Sequence, residues 1–136
     1  MPHALPPIVM TWHEHARLSN LARIVWSSFP DSSEYLEREL DRAKLVAPDQ
    51  IAPNTITMGS RVEFAYAHSG VRQVVTLVYP RYEDIAAGKI SVLSPVGAAL
   101  IGLTEGQSID FRTLRGEQRT ITILKVNRSV DDNATE

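Results

Sequence analysis

Apolar residues recur along this chain at two different periods, three to four residues in its first third and two residues over most of the remainder. Thr11 and Glu14 make a capping-box pattern, and Leu18, Leu21, Ala22, Val25 and Phe29 follow at helical spacing, which predicts a helix from about Trp12 to Ser28. Pro30 stops it. Asp31 and Glu34 repeat the capping-box pattern, and Leu36, Leu40, Ala43 and Ala47 give a second helix one narrow apolar stripe. Glu37, Arg38, Glu39, Asp41, Arg42 and Lys44 fill its other faces, with Glu34 and Arg38 as an i,i+4 pair. So short a connection turns the two stripes toward each other, giving an antiparallel helical hairpin over residues 11–50, a coiled-coil finger. Each arm is about 16 residues, or roughly 24 Å at 1.5 Å per residue.

Residues 1–10 carry Pro2, Pro6 and Pro7 and are expected to be a flexible lead-in. Pro48 and Pro53 mark an aperiodic boundary between a finger core and a separate sheet core. Beyond it Val62, Phe64 and Tyr66 alternate with Arg61, Glu63 and Ala65, and His68-Ser69-Gly70 supplies a turn before a strand over Val71 to Tyr79. That strand is apolar on both faces and is expected to be central. The stretch from Gly88 to Gly106 then switches period. A short strand from Ile90 to Leu93 gives way at Ser94-Pro95 to a two-turn helix carrying Val96, Ala99 and Leu100, stopped by Gly102. Strands over Ser108 to Thr113 and Arg119 to Val126 flank a turn at Arg115-Gly116-Glu117. Residues 129–136 lack an apolar pattern and are expected to be a flexible tail. The class is α+β: a helical hairpin, then about five mostly antiparallel strands curled over one short helix.

Composition narrows the function. With 136 residues, 43% of them hydrophobic, the chain has material for one compact domain and an appendage. A net charge of −2 argues against direct nucleic-acid binding, which favours a basic excess. Cysteine is absent, which excludes disulfides and thiolate metal sites. No run approaches the 18 or so apolar residues of a membrane span, and the start lacks a signal-peptide pattern, so the expectation is a cytoplasmic protein that does not engage membranes.

Candidate residues each carry a bland reading. Ser94 and Pro95 are what a helix start after a strand requires. Asp31 and Glu34 are accounted for by capping. His13 and His15 would point about 200° apart on a helix and could not chelate together. His3 and His68 fall in the lead-in and a turn, Trp12 and Trp26 read as packing at the finger base, and the arginines of the sheet region read as solvated strand faces. No phosphate loop, catalytic triad order or nucleotide motif is present. No cofactor or metal is expected.

The residues from about Ser32 to Val126 resemble the GreA/GreB family of bacterial transcription factors. Glu83-Asp84, Gly88-Lys89-Ile90-Ser91, Ser94-Pro95, Ala98-Ala99-Leu100, Gly102 and Gly106 follow that family's order and spacing. Leu40-Asp41-Arg42-Ala43, Thr57-Met58, Ser60-Arg61-Val62, Thr76-Leu77-Val78-Tyr79-Pro80 and Pro95-Val96-Gly97 look more like its short-fingered Rnk type. The resemblance implies an FKBP-like domain over residues 55–128 that docks at the rim of the RNA polymerase secondary channel, with the finger pointing into that channel. It implies polymerase binding through Leu93, Ser94, Pro95 and Val96, with Leu93 standing where Gre factors carry an acid that helps grip the rim. In Gre factors, tip carboxylates hold a catalytic magnesium ion, which gives Asp31 and Glu34 a second reading as finger-tip ligands. Glu34-Tyr35 also fits a later Glu-Tyr of the Gre second helix, in which case the tip itself is deleted.

Three functions follow. The first is a non-enzymatic regulator of the Rnk type that occupies the channel and competes with Gre factors without promoting cleavage. The second is a stimulator of transcript cleavage through Asp31 and Glu34. The third, by fold analogy, is a peptidyl-prolyl isomerase, which an open aromatic-lined cleft in the sheet domain would favour.

Overall fold

The computed structural model describes residues 5–128, so the outermost lead-in residues and the whole expected tail, 129–136, lie outside the described residues. Helix α1 (Trp12–Val25) opens as its sequence predicts, with Thr11 Oγ1 accepting from the Glu14 backbone N–H at 3.1 Å. It stops at Val25, one turn short of the expected end, and the chain turns through Trp26 to Ser28. Helix α2 (Pro30–Arg42) does not open on an Asp31 cap. Phe29 occupies the capping position without a side-chain bond and Pro30 takes the first turn. Proline suits that place because its missing N–H has no partner there anyway. Asp31 is thereby moved inside the helix, where its charge faces the positive end of the dipole.

The second helix also ends sooner than its stripe implied. Ala43 is already extended, and Lys44–Val46 forms a strand, β2, parallel to β1 (Val9–Thr11), with Val9, Met10 and Thr11 opposite Lys44, Leu45 and Val46. This corrects the expectation of a flexible lead-in, at least from residue 8 onward. Ile8 and Met10 are fully buried, and their backbone is tied down by Lys44 N–H to the Ile8 carbonyl (2.9 Å) and Val9 N–H to the Gly102 carbonyl (3.1 Å). Buried apolar side chains at alternate positions demand a paired backbone, which outweighs the prolines before them.

Five further strands form one mixed, curled sheet in the order β5-β4-β3-β7-β6: β3 (Arg61–Tyr66), β4 (Arg72–Val78), β5 (Lys89–Ser91), β6 (Ser108–Arg112) and β7 (Gln118–Asn127). Only β4 and β5 run parallel. The doubly apolar β4 is interior as expected, paired with both β3 and β5, although its Val74 stays half exposed. Helix α3 (Pro95–Leu100) packs against β5 and β6 and buries Gly97, Ala98, Ala99 and Leu100. Gly102, at φ 83°, ends it. Among the described residues no helix is long and apolar enough to cross a membrane.

The hairpin and the sheet share one core. Ser33 Oγ donates to the Ala22 carbonyl (2.6 Å) and His15 Nε2 to the Leu40 carbonyl (3.1 Å), fixing α1 antiparallel to α2. Leu18, Ala22, Leu36 and Leu40 from their facing stripes join Ile8, Met10, Phe64, Leu77, Leu100 and Ile121 in a single apolar cluster. Glu14 Oε2 accepts from the Met58 N–H at 2.9 Å, and the Arg17 guanidinium lies 4.9 Å from the centre of the Tyr79 ring. The finger and the sheet therefore do not have the separate cores that the boundary prolines suggested.

Candidate functional site

The junction of β5 with α3 is held by a chain of short bonds. Ser91 N–H donates to Glu83 Oε2 (3.3 Å), Ser91 Oγ accepts from Leu93 N–H (3.0 Å), and Ser94 Oγ both donates to the Ser91 carbonyl (2.7 Å) and accepts from Gly97 N–H (3.0 Å). Gly97 lets α3 sit directly on β5, since a Cβ there would lie 2.0 Å from the Ser91 carbonyl oxygen. Ser94 is thus committed as a cap, as its position in the sequence predicts, and Pro95 follows it at the helix start. Leu93, Ser94, Pro95 and Val96 all remain half-buried, so the turn they form is rigid yet accessible.

This turn is a ridge between two hollows. On one side lies a cleft of about 450 Å³ whose floor and walls include Tyr66, Val75, Ile90, Val96 and Phe111. On the other lies a groove of about 350 Å³ between Leu93, Ser94 and Pro95 and the first turn of α2, where Asp31, Ser32 and Tyr35 stand. Leu114, 89% exposed on the β6–β7 turn, borders both. Burial pushes the Tyr66 and Tyr35 hydroxyls above the ordinary phenol value.

The structure brings together residues that the sequence placed far apart. Asp31, expected at the end of a projecting finger, lines a groove with Leu93 and Pro95, and a neighbouring groove with Glu34, Arg38, Asp110 and Arg112. Glu34 is taken up by Arg38 at 2.6 Å, as the i,i+4 spacing predicts. Asp31 and Glu34 stand one turn apart at the start of α2, both exposed. Glu34 holds the Arg38 guanidinium at the surface, and among the described residues no group of three His, Asp or Glu side chains converges, so within this chain the pair offers two carboxylates and no further ligand.

Sequence reasoning missed the surface at the hairpin turn. Ile24, Trp26 and Phe29 are 67%, 53% and 56% exposed, and Trp12 is 59% exposed, although both tryptophans read as packing residues. Helical spacing selected Phe29 for the core because it fell on the α1 stripe, but the helix ends before reaching it. His13 is exposed, and His15 is spent on Leu40.

Residues 43–128 match the family model for the C-terminal part of the transcription elongation factors GreA and GreB. The chain belongs to the GreA/GreB family. It is 37% identical over 94 residues to the regulator of nucleoside diphosphate kinase of Escherichia coli K12, a match covering 69% of each chain. It is 35% identical over 82 residues to the transcription elongation factor GreA of Nitratidesulfovibrio vulgaris, spanning 60% of this chain and 51% of that one. The chain thus spans about half the length of that GreA relative. Among solved structures, a prokaryotic GreA/GreB transcription elongation factor from Nitrosomonas europaea superposes with a TM-score of 0.70 at 38% identity, over 90% of this chain and 98% of that one. The family match takes in the whole β5–α3 junction but begins at residue 43, leaving α1 and α2 outside it.

Proposed function

We propose that the chain is a cytoplasmic, RNA polymerase-binding transcription regulator of the Rnk type. It docks at the secondary-channel rim through Leu93, Ser94, Pro95 and Val96 and competes there with Gre factors without promoting cleavage. The observation that carries this reading is the rigid, accessible Ser94-Pro95 ridge in a member of the GreA/GreB family. Occupancy without cleavage is supported by the hairpin itself. Its helices are 14 and 13 residues long, its turn presents Ile24, Trp26 and Phe29, and its acids are an Arg38-bound Glu34 and an Asp31 set beside the ridge.

The test is a pull-down with core RNA polymerase followed by a transcript-cleavage assay on a stalled complex. The expected result is retention on polymerase, protection of the stalled RNA from added Gre factor, and no shortening by this chain alone. Magnesium-dependent shortening, lost in Asp31→Asn, would replace the occupancy mechanism with cleavage stimulation.

The cleft lined by Tyr66 and Phe111 meets the condition set for the isomerase reading, which is retained as the alternative. Acceleration of cis–trans exchange in a proline tetrapeptide, abolished by Tyr66→Ala, would favour it over docking.

A further inference from the structure

The ridge that carries Ser94 and Pro95 is walled on its second side by the hairpin rather than by the sheet. Asp31 is exposed there, does not cap α2, and is the one acid among the described residues lining this groove. Arg112 lines the same groove on the sheet side and Arg115 borders the apolar cleft beyond it. The groove is therefore two-signed, with an apolar floor of Leu93, Pro95 and Ala98 between its acidic and basic edges.

We propose that the first turn of α2 is part of the polymerase-docking surface: a polymerase segment seated on Ser94-Pro95 is gripped from the hairpin side by Asp31, Ser32 and Tyr35. This rests on the docking reading above. Two things identify the occupant as the same partner and not a second one. The groove is continuous with the apolar cleft across the ridge, because Ser94, Pro95 and Leu114 belong to both. Its acidic edge also fits a segment that carries a basic side chain beside an apolar one. The start of α2 then grips the rim directly beside the ridge.

The experiment is a titration of the full chain, fluorescently labelled, with core RNA polymerase, at low and at high salt. Four variants are compared: Ser94→Ala with Pro95→Ala, Asp31→Lys, Ser32→Trp and, as a control on the same helix, Asp41→Lys. Asp41 lines a different groove, with Trp26 and Arg23. Asp31→Lys and Ser32→Trp are expected to weaken binding tenfold or more, with the Asp31→Lys thermal midpoint lowered only by the few degrees that reversing a charge at the helix dipole costs and both variants fully folded at the assay temperature. The Asp31→Lys loss should shrink at high salt, and Asp41→Lys should bind like the parent. If Ser32→Trp is poorly folded, Asp31→Lys decides alone, because its site is exposed. Parent-like affinity in Asp31→Lys, alongside a loss in the Ser94/Pro95 variant, would overturn the second wall and leave the docking reading standing. A parent that polymerase does not retain would overturn both.

Discussion

Glu14 shows how one side chain couples the two halves of the molecule at an electrostatic cost. Its Oε2 accepts from Met58 N–H, while Oε1 is buried without a hydrogen-bond partner among the described residues. Burial pushes its carboxyl above the ordinary 4.5, more than the Met58 bond and the charges of Arg128 and Arg17 pull it down. The folded state therefore holds the Glu14 proton more tightly than the unfolded chain does. Glu14 favours folding most below the ordinary carboxylate range, and that contribution is lost as pH rises through its elevated folded value. Glu14→Gln keeps a carbonyl for Met58 and removes the charge. It should raise the thermal midpoint at pH 7 and merge with the parent near pH 4, which melting curves across that range would check. A variant less stable than the parent at pH 7 would mean that Arg17 and Arg128 outweigh burial. Gly97 is constrained by space instead of charge. Gly97→Ala should cost about 3 kcal/mol, because the blocking atoms are the Ser91 backbone, which cannot swing aside as a side chain would. Urea unfolding would measure it.

At the level of elements, the sequence made legible whatever a local period or a local cap decides. Thr11 with Glu14, Ser94 with Pro95, the alternation of Val62 and Phe64, and the turn at Gly116 all act within a few residues of themselves. The β5–α3 junction, and with it the candidate ridge, could be read for that reason. Asp31 misled because two rules compete over the same four residues: a capping box would start α2 at Ser32, whereas proline prefers the first turn and starts it two residues earlier. The strand β1 was hidden for the opposite reason, since its partner lies about 35 residues away in a segment that continued a helical stripe. Its existence rests on Ile8 and Met10, and Met10→Ala tests it. Loss of a fully buried methionine should cost about 2–5 kcal/mol, against almost nothing if residues up to 10 were a loose lead-in. The change in urea midpoint separates these cases.

For the whole molecule, the boundary prolines at Pro48 and Pro53 were a sound sign of a change in local structure and a poor guide to where the core divides. Proline punctuates the backbone, whereas a core is defined by which faces meet, and that depends on contacts between distant segments. Here the amphipathic stripes of α1 and α2 close on each other and also on the sheet, with Leu36 and Leu40 in one cluster with Leu100 and Phe111. The same closure places Asp31 beside Pro95, a juxtaposition that no spacing along the chain could show. A separate sheet core would fold alone, whereas a shared core predicts that it does not. A fragment from Thr55 to Arg128 loses Ile8, Met10, Leu18, Leu36 and Leu40 from the core, and with them the Glu14 bond to Met58 and the Arg128 bond to the Ala52 carbonyl. Five large buried side chains, at about 1.5–3 kcal/mol each, amount to as much as a typical domain's entire stability of about 5–15 kcal/mol. The fragment should therefore show no cooperative urea transition, while the full chain unfolds in one step followed alike by tryptophan fluorescence and far-ultraviolet circular dichroism. A fragment that unfolds cooperatively near the full chain's midpoint would restore the division into two independent cores and make the hairpin an appendage.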